Sequence, residues 1–275
     1  MTATTTPFPS PSTLAAPYGE ARKTVCSQIQ NPEIAGQKSM HPAGVVVPVQ
    51  EPRTKAGSLR SVTIDGPAGK LEAVVNLGSP QARCAALVCH PHPLYGGNLH
   101  NKVVYHAMKA LNEPVWGQGW PVLRFNFRGV GLSQGSHDGL AEAGDILAAI
   151  AWLKREFDLP LVVAGFSFGA AMAVKACSES PLGCHGVRAL IALGLPATSE
   201  FPACHYPALH SLQIPKLFLS GDCDAFASAG QLTQITKKAA DPSRLLLLPG
   251  ADHFFTDQLE PMQHAIVDWL KELRL

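Results

Sequence analysis

The segment Gly165-Phe166-Ser167-Phe168-Gly169 places a serine between two glycines, after the apolar run Leu161-Val162-Val163-Ala164 and before the small-residue stretch Ala170-Ala171-Met172-Ala173-Val174. A serine hydroxyl is a weak nucleophile until a base takes its proton. On a sharp strand-to-helix turn the hydroxyl is exposed, and flanking glycines remove side chains that would collide with the adjacent strand and helix. The helix N-terminus beneath such a serine supplies amide N–H groups and a positive dipole end where negative charge develops. An acid and a base follow downstream: Asp222 and Asp224 lie just past an apolar run at 216–220, and His253 lies just past another at 244–249. The bare Gly-x-Ser-x-Gly pattern arises easily in a chain rich in small residues. With strand, turn and helix in order, and with acid and imidazole following, it predicts a nucleophilic site. An aspartate after a strand also serves as a turn or cap residue, so the residues alone leave Asp222 and Asp224 both open.

The elements that must position these groups are legible as alternating periods. "LRSVTI", a "DGPAGK" turn and "LEAVVNL" read as a β-hairpin at a sheet edge. Apolar strand runs follow at 85–89, 121–127, 161–165, 189–194, 216–220 and 244–249. Helical patterns occupy 101–113, 141–157, 169–179, 228–240 and 258–275. Strands alternating with helices predict a largely parallel sheet covered on both faces. Each of the candidate residues then falls at a strand end, where an open α/β sheet forms its binding crevice. Residues 1–57 are rich in Thr, Ser, Pro and Ala and lack either period, so they read as an extension of a domain spanning 58–275, partly disordered or packed upon it.

Composition narrows the class. The 275 residues are 46% hydrophobic and 16% charged, which suits one large α/β domain with a sizeable core. The net charge of +1, with no Lys/Arg cluster, argues against a nucleic-acid partner. The first residues lack a secretory pattern, and no window of eighteen consecutive apolar residues occurs, so a soluble cytoplasmic protein with no membrane partner is expected. Seven scattered cysteines without a C-x-x-C pair read as reduced thiols. A metal site built on His90, His92 and His100 is disfavoured because no further ligands stand at metallo-hydrolase spacing downstream.

Five motifs in order carry a resemblance: "VCHPHPLYGGNLHNKVV", "LRFNFRGVGLSQG", "GFSFG", "GDCD" and "GADHFF". Over about 58–275 the chain resembles the α/β-hydrolase superfamily, near its small lidless, esterase-like and dienelactone-hydrolase-like members. The resemblance implies an α/β-hydrolase fold with a mostly parallel, doubly wound sheet, helices on both faces and no cap domain. It implies a serine hydrolase with a catalytic triad of Ser167, Asp224 and His253, because the family's acid stands three residues after a glycine, here Gly221. "HPHPLYGG" occupies the position of the family's oxyanion loop. Proline has no N–H, so Pro91 and Pro93 are excluded, leaving Leu94, His92 or Tyr95 to join the amide of Phe168, with Leu94 favoured. Arg128 is expected to pack beneath the crevice rather than act in chemistry.

The expected reaction is ester hydrolysis through an acyl-enzyme, with a small-molecule ester as partner and no cofactor. Thioesterase, amidase, peptidase or acyltransferase chemistry would use the same triad, and a non-catalytic binding protein of this fold is the rival from another class. The connection at 195–215, with four prolines, is too short and broken for a helical cap. An open crevice favouring short acyl chains is the consequence, with Tyr95 and Phe254 in contact with substrate and Phe201, Tyr206 and Phe255 as further candidate walls.

Overall fold

The computed structural model describes residues 58–179, 184–197 and 206–275. The chain divides into two units, Met1–Gln50 and Glu51–Leu275, and the second holds every described residue. The expected extension 1–57 and the candidate wall residue Phe201 lie outside the described residues.

Strands β1 (Leu59–Gly66) and β2 (Gly69–Asn76) form the hairpin, with Leu59 opposite Asn76 and Gly66 opposite Gly69. The turn is tighter than the sequence suggests, because Gly69 takes φ of 122° and lets the ladder run to within two residues of closure. The remaining strands are β3 (Ala85–Cys89), β4 (Val122–Phe125), β5 (Leu161–Phe166), β6 (Val187–Leu193), β7 (Lys216–Gly221) and β8 (Ser243–Leu248). They join one eight-stranded sheet in the order β1-β2-β4-β3-β5-β6-β7-β8. β2 meets β4 antiparallel, and every pairing from β4 to β8 is parallel.

The helices are α1 (Lys102–Asn112), α2 (Glu142–Phe157), α3 (Phe168–Glu179), α4 (Ala229–Lys238) and α5 (Leu259–Glu272). They cover both faces of the sheet. Side chains alternate along a strand, so Leu87 and Cys89 of β3 join a core with Ile146 and Ile150 of α2, Met172 of α3 and Leu232 of α4. Ala86 and Val88 join the opposite core with Val104 and Leu111 of α1 and Ile266 and Trp269 of α5. Double coverage explains why β3 and β5 are unbroken apolar runs with every residue buried. Helix α3, which starts at the serine turn, is buried over nearly its whole length and is made mostly of small apolar residues. Among the described residues no helix is long and apolar enough to cross a membrane.

β4 ends two residues sooner than its apolar run, because Asn126 and Phe127 turn to other work. The Asn126 side chain accepts from Leu99 N at 2.8 Å and donates to Glu72 Oε2 at 2.7 Å. Next along the chain, Arg128 is buried and held by Asp145 of α2, with its Nη2 2.7 Å from Oδ1 and its backbone N 3.0 Å from Oδ2. The guanidinium is thereby committed to tying the loop after β4 onto α2. Removing one partner of such a buried pair leaves an uncompensated charge. Asp145→Ala is expected to lower stability by roughly 3–5 kcal/mol, read as a shift of the urea unfolding midpoint.

Candidate active site

Ser167 sits between β5 and α3 with φ of 53°, a left-handed conformation that costs a non-glycine residue about 1–3 kcal/mol unless its surroundings enforce it. They do so from three sides. Its N–H donates to Leu193 O at the end of β6 (2.9 Å), and its carbonyl accepts from Ala170 N (2.9 Å) and Ala171 N (3.0 Å), opening α3. A β-carbon at Gly165 would stand 2.3 Å from Gly169 O, and one at Gly169 would stand 2.5 Å from both Cys89 O and His90 O. The two glycines are therefore required by close backbone approach.

His253 reaches this hydroxyl from the loop after β8. Its Nε2 lies 3.0 Å from Ser167 Oγ, and its Nδ1 lies 2.9 Å from Asp224 Oδ2 in the loop after β7. A carboxylate only accepts, so the imidazole carries its hydrogen on Nδ1 and turns the Nε2 lone pair to the serine O–H. The ring is buried among Phe226, Phe166 and Phe254, with centroids 4.4, 5.1 and 5.2 Å away. Asp224 also accepts from Ser220 Oγ (2.8 Å) and Phe226 N (2.7 Å). Burial alone would raise its pKa, but the bond and charge of His253, with these other donors, outweigh burial and hold the carboxyl below its ordinary value. Asp222 is turned away from the imidazole. It is exposed, and its Oδ1 accepts from Gly250 N at 2.7 Å, linking the β7 and β8 loops.

A residue that no sequence motif singles out completes this arrangement. Asp252 accepts from Phe254 N (3.0 Å), Thr256 N (2.9 Å) and Thr256 Oγ1 (2.8 Å), closing the turn that presents His253. The available signal was an aspartate followed by a polar residue within a short connection between strand and helix.

The loop after β3 departs from expectation. Pro93–Tyr95 forms a single 3-10 turn in which Leu94 N donates to His92 Nδ1 (3.2 Å) and Tyr95 N donates to His92 O (3.1 Å). The amide of Leu94, the favoured oxyanion donor, is spent inside its own turn, and so is that of the alternative, Tyr95. Proline at 93 starts the turn, and turn closure fixes where the following amides aim. The His92 ring packs on the serine turn, 5.0 Å from the ring of Phe168. Tyr95 rests against His92 at 5.0 Å and is 79% exposed; Phe254, beside His253, is 55% exposed. Both are largely open to solvent. Phe255, by contrast, is fully buried in the core, and the Tyr206 hydroxyl donates to Pro196 O at 2.8 Å.

A profile of the alpha/beta hydrolase domain family matches residues 101–265. The chain belongs to this family. An uncharacterized protein of Rickettsia prowazekii is 35% identical over 218 residues, covering 76% of this chain and 87% of that one. Among solved structures, an α/β serine hydrolase of Xanthomonas campestris described as without a lid is 31% identical, with a TM-score of 0.67 over 78% of this chain and 94% of its own. An α/β serine hydrolase homologue of Coxiella burnetii is also 31% identical, with a TM-score of 0.68 over 77% and 97%. The hydrolase accordingly shares the α/β architecture of the lidless Xanthomonas campestris relative, in keeping with the short connection between β6 and β7.

His90 has a different part in this hydrolase from the one its neighbours in sequence suggest. It is buried at the end of β3, its Nδ1 2.7 Å from Pro91 O and its Nε2 accepting from Phe127 N at 3.0 Å. Both ring nitrogens are used, which makes His90 a tie between the loops after β3 and β4. Burial pulls its pKa from 6.5 down to about 4, so it is neutral at physiological pH. Because the folded value lies below the unfolded one, the unfolded chain binds the extra proton between them, and stability falls as pH drops from 6.5 toward 4. At about 1.4 kcal/mol per unit the loss approaches roughly 3 kcal/mol. Urea midpoints at pH 7.5 and 4.5 should show this fall in the unaltered chain. The fall should be shallower in His90→Asn, which starts from a lower midpoint.

Proposed function

We propose that this hydrolase cleaves carboxylic esters of short acyl chain through an acyl-enzyme, with Ser167 as nucleophile, His253 as general base and acid, and Asp224 as the group that orients and charge-balances the imidazole. The observation that carries this reading is the 3.0 Å approach of His253 Nε2 to the hydroxyl of a serine held at positive φ on the strand-to-helix turn. Ser167 Oγ attacks the ester carbonyl while its proton passes to His253 Nε2. The carbonyl π pair becomes an oxyanion, which collapses to expel the alcohol as His253 returns the proton to it. Water then repeats the sequence on the acyl-serine, releasing the acid.

The oxyanion falls to backbone amides. Phe168 is the first residue of α3 and has no intrahelical acceptor for its N–H, which points along the positive end of the helix dipole. The second donor in this reading is the amide of His92, in place of Leu94, supported by the packing of His92 on Phe168. One such donor is worth roughly 3 kcal/mol of the barrier.

Ser167→Ala should abolish ester hydrolysis and labelling by a fluorophosphonate while the fold persists, with a loss in kcat on the order of 10⁴ or more. Retained turnover in a clean preparation would exclude the serine as nucleophile. Asp224→Asn should cost on the order of 10³ to 10⁴ through the wrong tautomer, and Asp222→Asn far less, since that carboxylate bonds the Gly250 amide and the Cys223 thiol rather than the imidazole. Assays of matched ester, thioester and amide substrates would rank the bond types.

Exposure of the rim sets the expectation for the acyl group. With Tyr95 and Phe254 largely in solvent, little of a long chain can be covered, and each CH₂ left uncovered forgoes about 0.8 kcal/mol. The ratio kcat/KM over p-nitrophenyl esters of two to sixteen carbons should peak at two to four. A maximum at eight or beyond would contradict the open crevice.

A further inference from the structure

Three rings from three loops meet beside the serine turn. His92 comes from the loop after β3, His137 from the loop after β4, and Phe168 from the start of α3. Their centroids lie 4.8 Å apart for His92 and His137, 5.0 Å for His92 and Phe168, and 5.4 Å for His137 and Phe168. Two of the three are the residues whose amides receive the oxyanion in the acyl-enzyme reading. The third, His137, has no place in that chemistry, yet it is anchored by a buried carboxylate. Its Nδ1 lies 2.6 Å from Oε1 of Glu142, a fully buried carboxylate in the first turn of α2. A carboxylate only accepts, so here too Nδ1 carries the hydrogen.

Glu142 is itself fixed. Oε1 also accepts from Asp138 N (3.0 Å) and Gly139 N (3.4 Å), while Oε2 is buried with no hydrogen-bond partner among the described residues. The nearby cation, Arg128, is committed to Asp145. A buried carboxylate with one oxygen left unbonded is costly, and local helix capping would be met as well by an exposed side chain. What the buried carboxylate adds is a rigid hold on one imidazole. The arrangement repeats that of Asp224 and His253: on one side a carboxylate steadies the ring that meets the serine hydroxyl, and on the other a carboxylate steadies the ring that meets Phe168 and His92.

We propose that His137, held by Glu142, is a positioning residue for the oxyanion hole, clamping the rings of His92 and Phe168 so that their amides converge on one point. The proposal rests on the acyl-enzyme reading. Amide donors stabilise the transition state only when aimed where the oxyanion will form, and displacement by about an ångström costs up to about a hundredfold in rate. Loss of the clamp therefore reduces binding of the tetrahedral species and spares binding of the ester.

The test compares His137→Ala and His137→Gln with the unaltered chain. The glutamine variant keeps a donor for Glu142 and thus remains informative if the alanine variant does not fold. Each is assayed for p-nitrophenyl butyrate hydrolysis and for inhibition by an alkyl trifluoromethyl ketone. In that adduct Ser167 Oγ bonds to the carbonyl carbon, the π pair becomes the alkoxide, and the serine proton moves to His253. The expected result is that kcat and ketone affinity fall together by about 10- to 100-fold while KM changes by less than about threefold and fluorophosphonate labelling still reaches completion. Values of kcat and ketone affinity within about twofold of the unaltered chain, or a loss confined to KM, would overturn the proposal. Absence of labelling in the unaltered chain would instead overturn the acyl-enzyme reading on which it rests.

Discussion

No atom can stand where a β-carbon at residue 169 would be, because the carbonyl oxygens of Cys89 and His90 already lie 2.5 Å from that point. This exclusion is what brings the end of β3 against the start of α3. Because β3 and β5 are neighbours in the sheet, the loop after β3 passes beside the serine turn, where the His92 ring packs on Phe168. The left-handed backbone of Ser167 comes from the same crowding, since the chain must reverse within one residue to begin a helix pressed this closely on the sheet. Where the hydroxyl points, where the first helical amides point and where His92 lies are thus three results of one steric condition.

Around that condition the loops are held by side chains rather than by ladders. Past the ends of strands the ladder no longer pairs every backbone group, and each group left unpaired when buried there would cost about 1–3 kcal/mol. The chain meets this with buried polar residues that bond backbone at a distance: His90 to Phe127, Asn126 to Leu99, Asp145 to Arg128, Ser133 to Asn126 and Glu72. The exposed Asp222 bonds the Gly250 amide and so links the loops after β7 and β8, while Asp252 bonds the amides of its own turn.

The division between what was legible and what was not falls along the same line. The periods of β3, β5 and α2, and the order of serine, acid and histidine, are local signals and could be read directly. Gly221 before Asp224 pointed to the acid through resemblance, whereas the distinct task of Asp222 needed the bond to Gly250, twenty-eight positions away, to become visible. The fate of the Leu94 amide was hidden for a different reason. Proline excludes donors at 91 and 93 but says nothing about where the remaining amides aim, and that is set by the 3-10 turn closing on the His92 ring. His137 and Glu142 were overlooked because a histidine and a glutamate five apart beside a helix start ordinarily face solvent, and only burial distinguishes this pair.

The imidazole that meets Ser167 is delivered by the loop after β8, and β8 is an edge strand, paired among the described residues with β7 alone and only partly buried. The centre of the sheet can therefore be complete while the reactive constellation is not. Edge elements open at lower free energy than the core, so detachment of this strand would separate His253 from the serine while β3, β5 and their helices stayed native. Turnover in such a molecule reports on its least protected margin, and regain of activity after refolding would mark the docking of the last strand rather than the formation of the first.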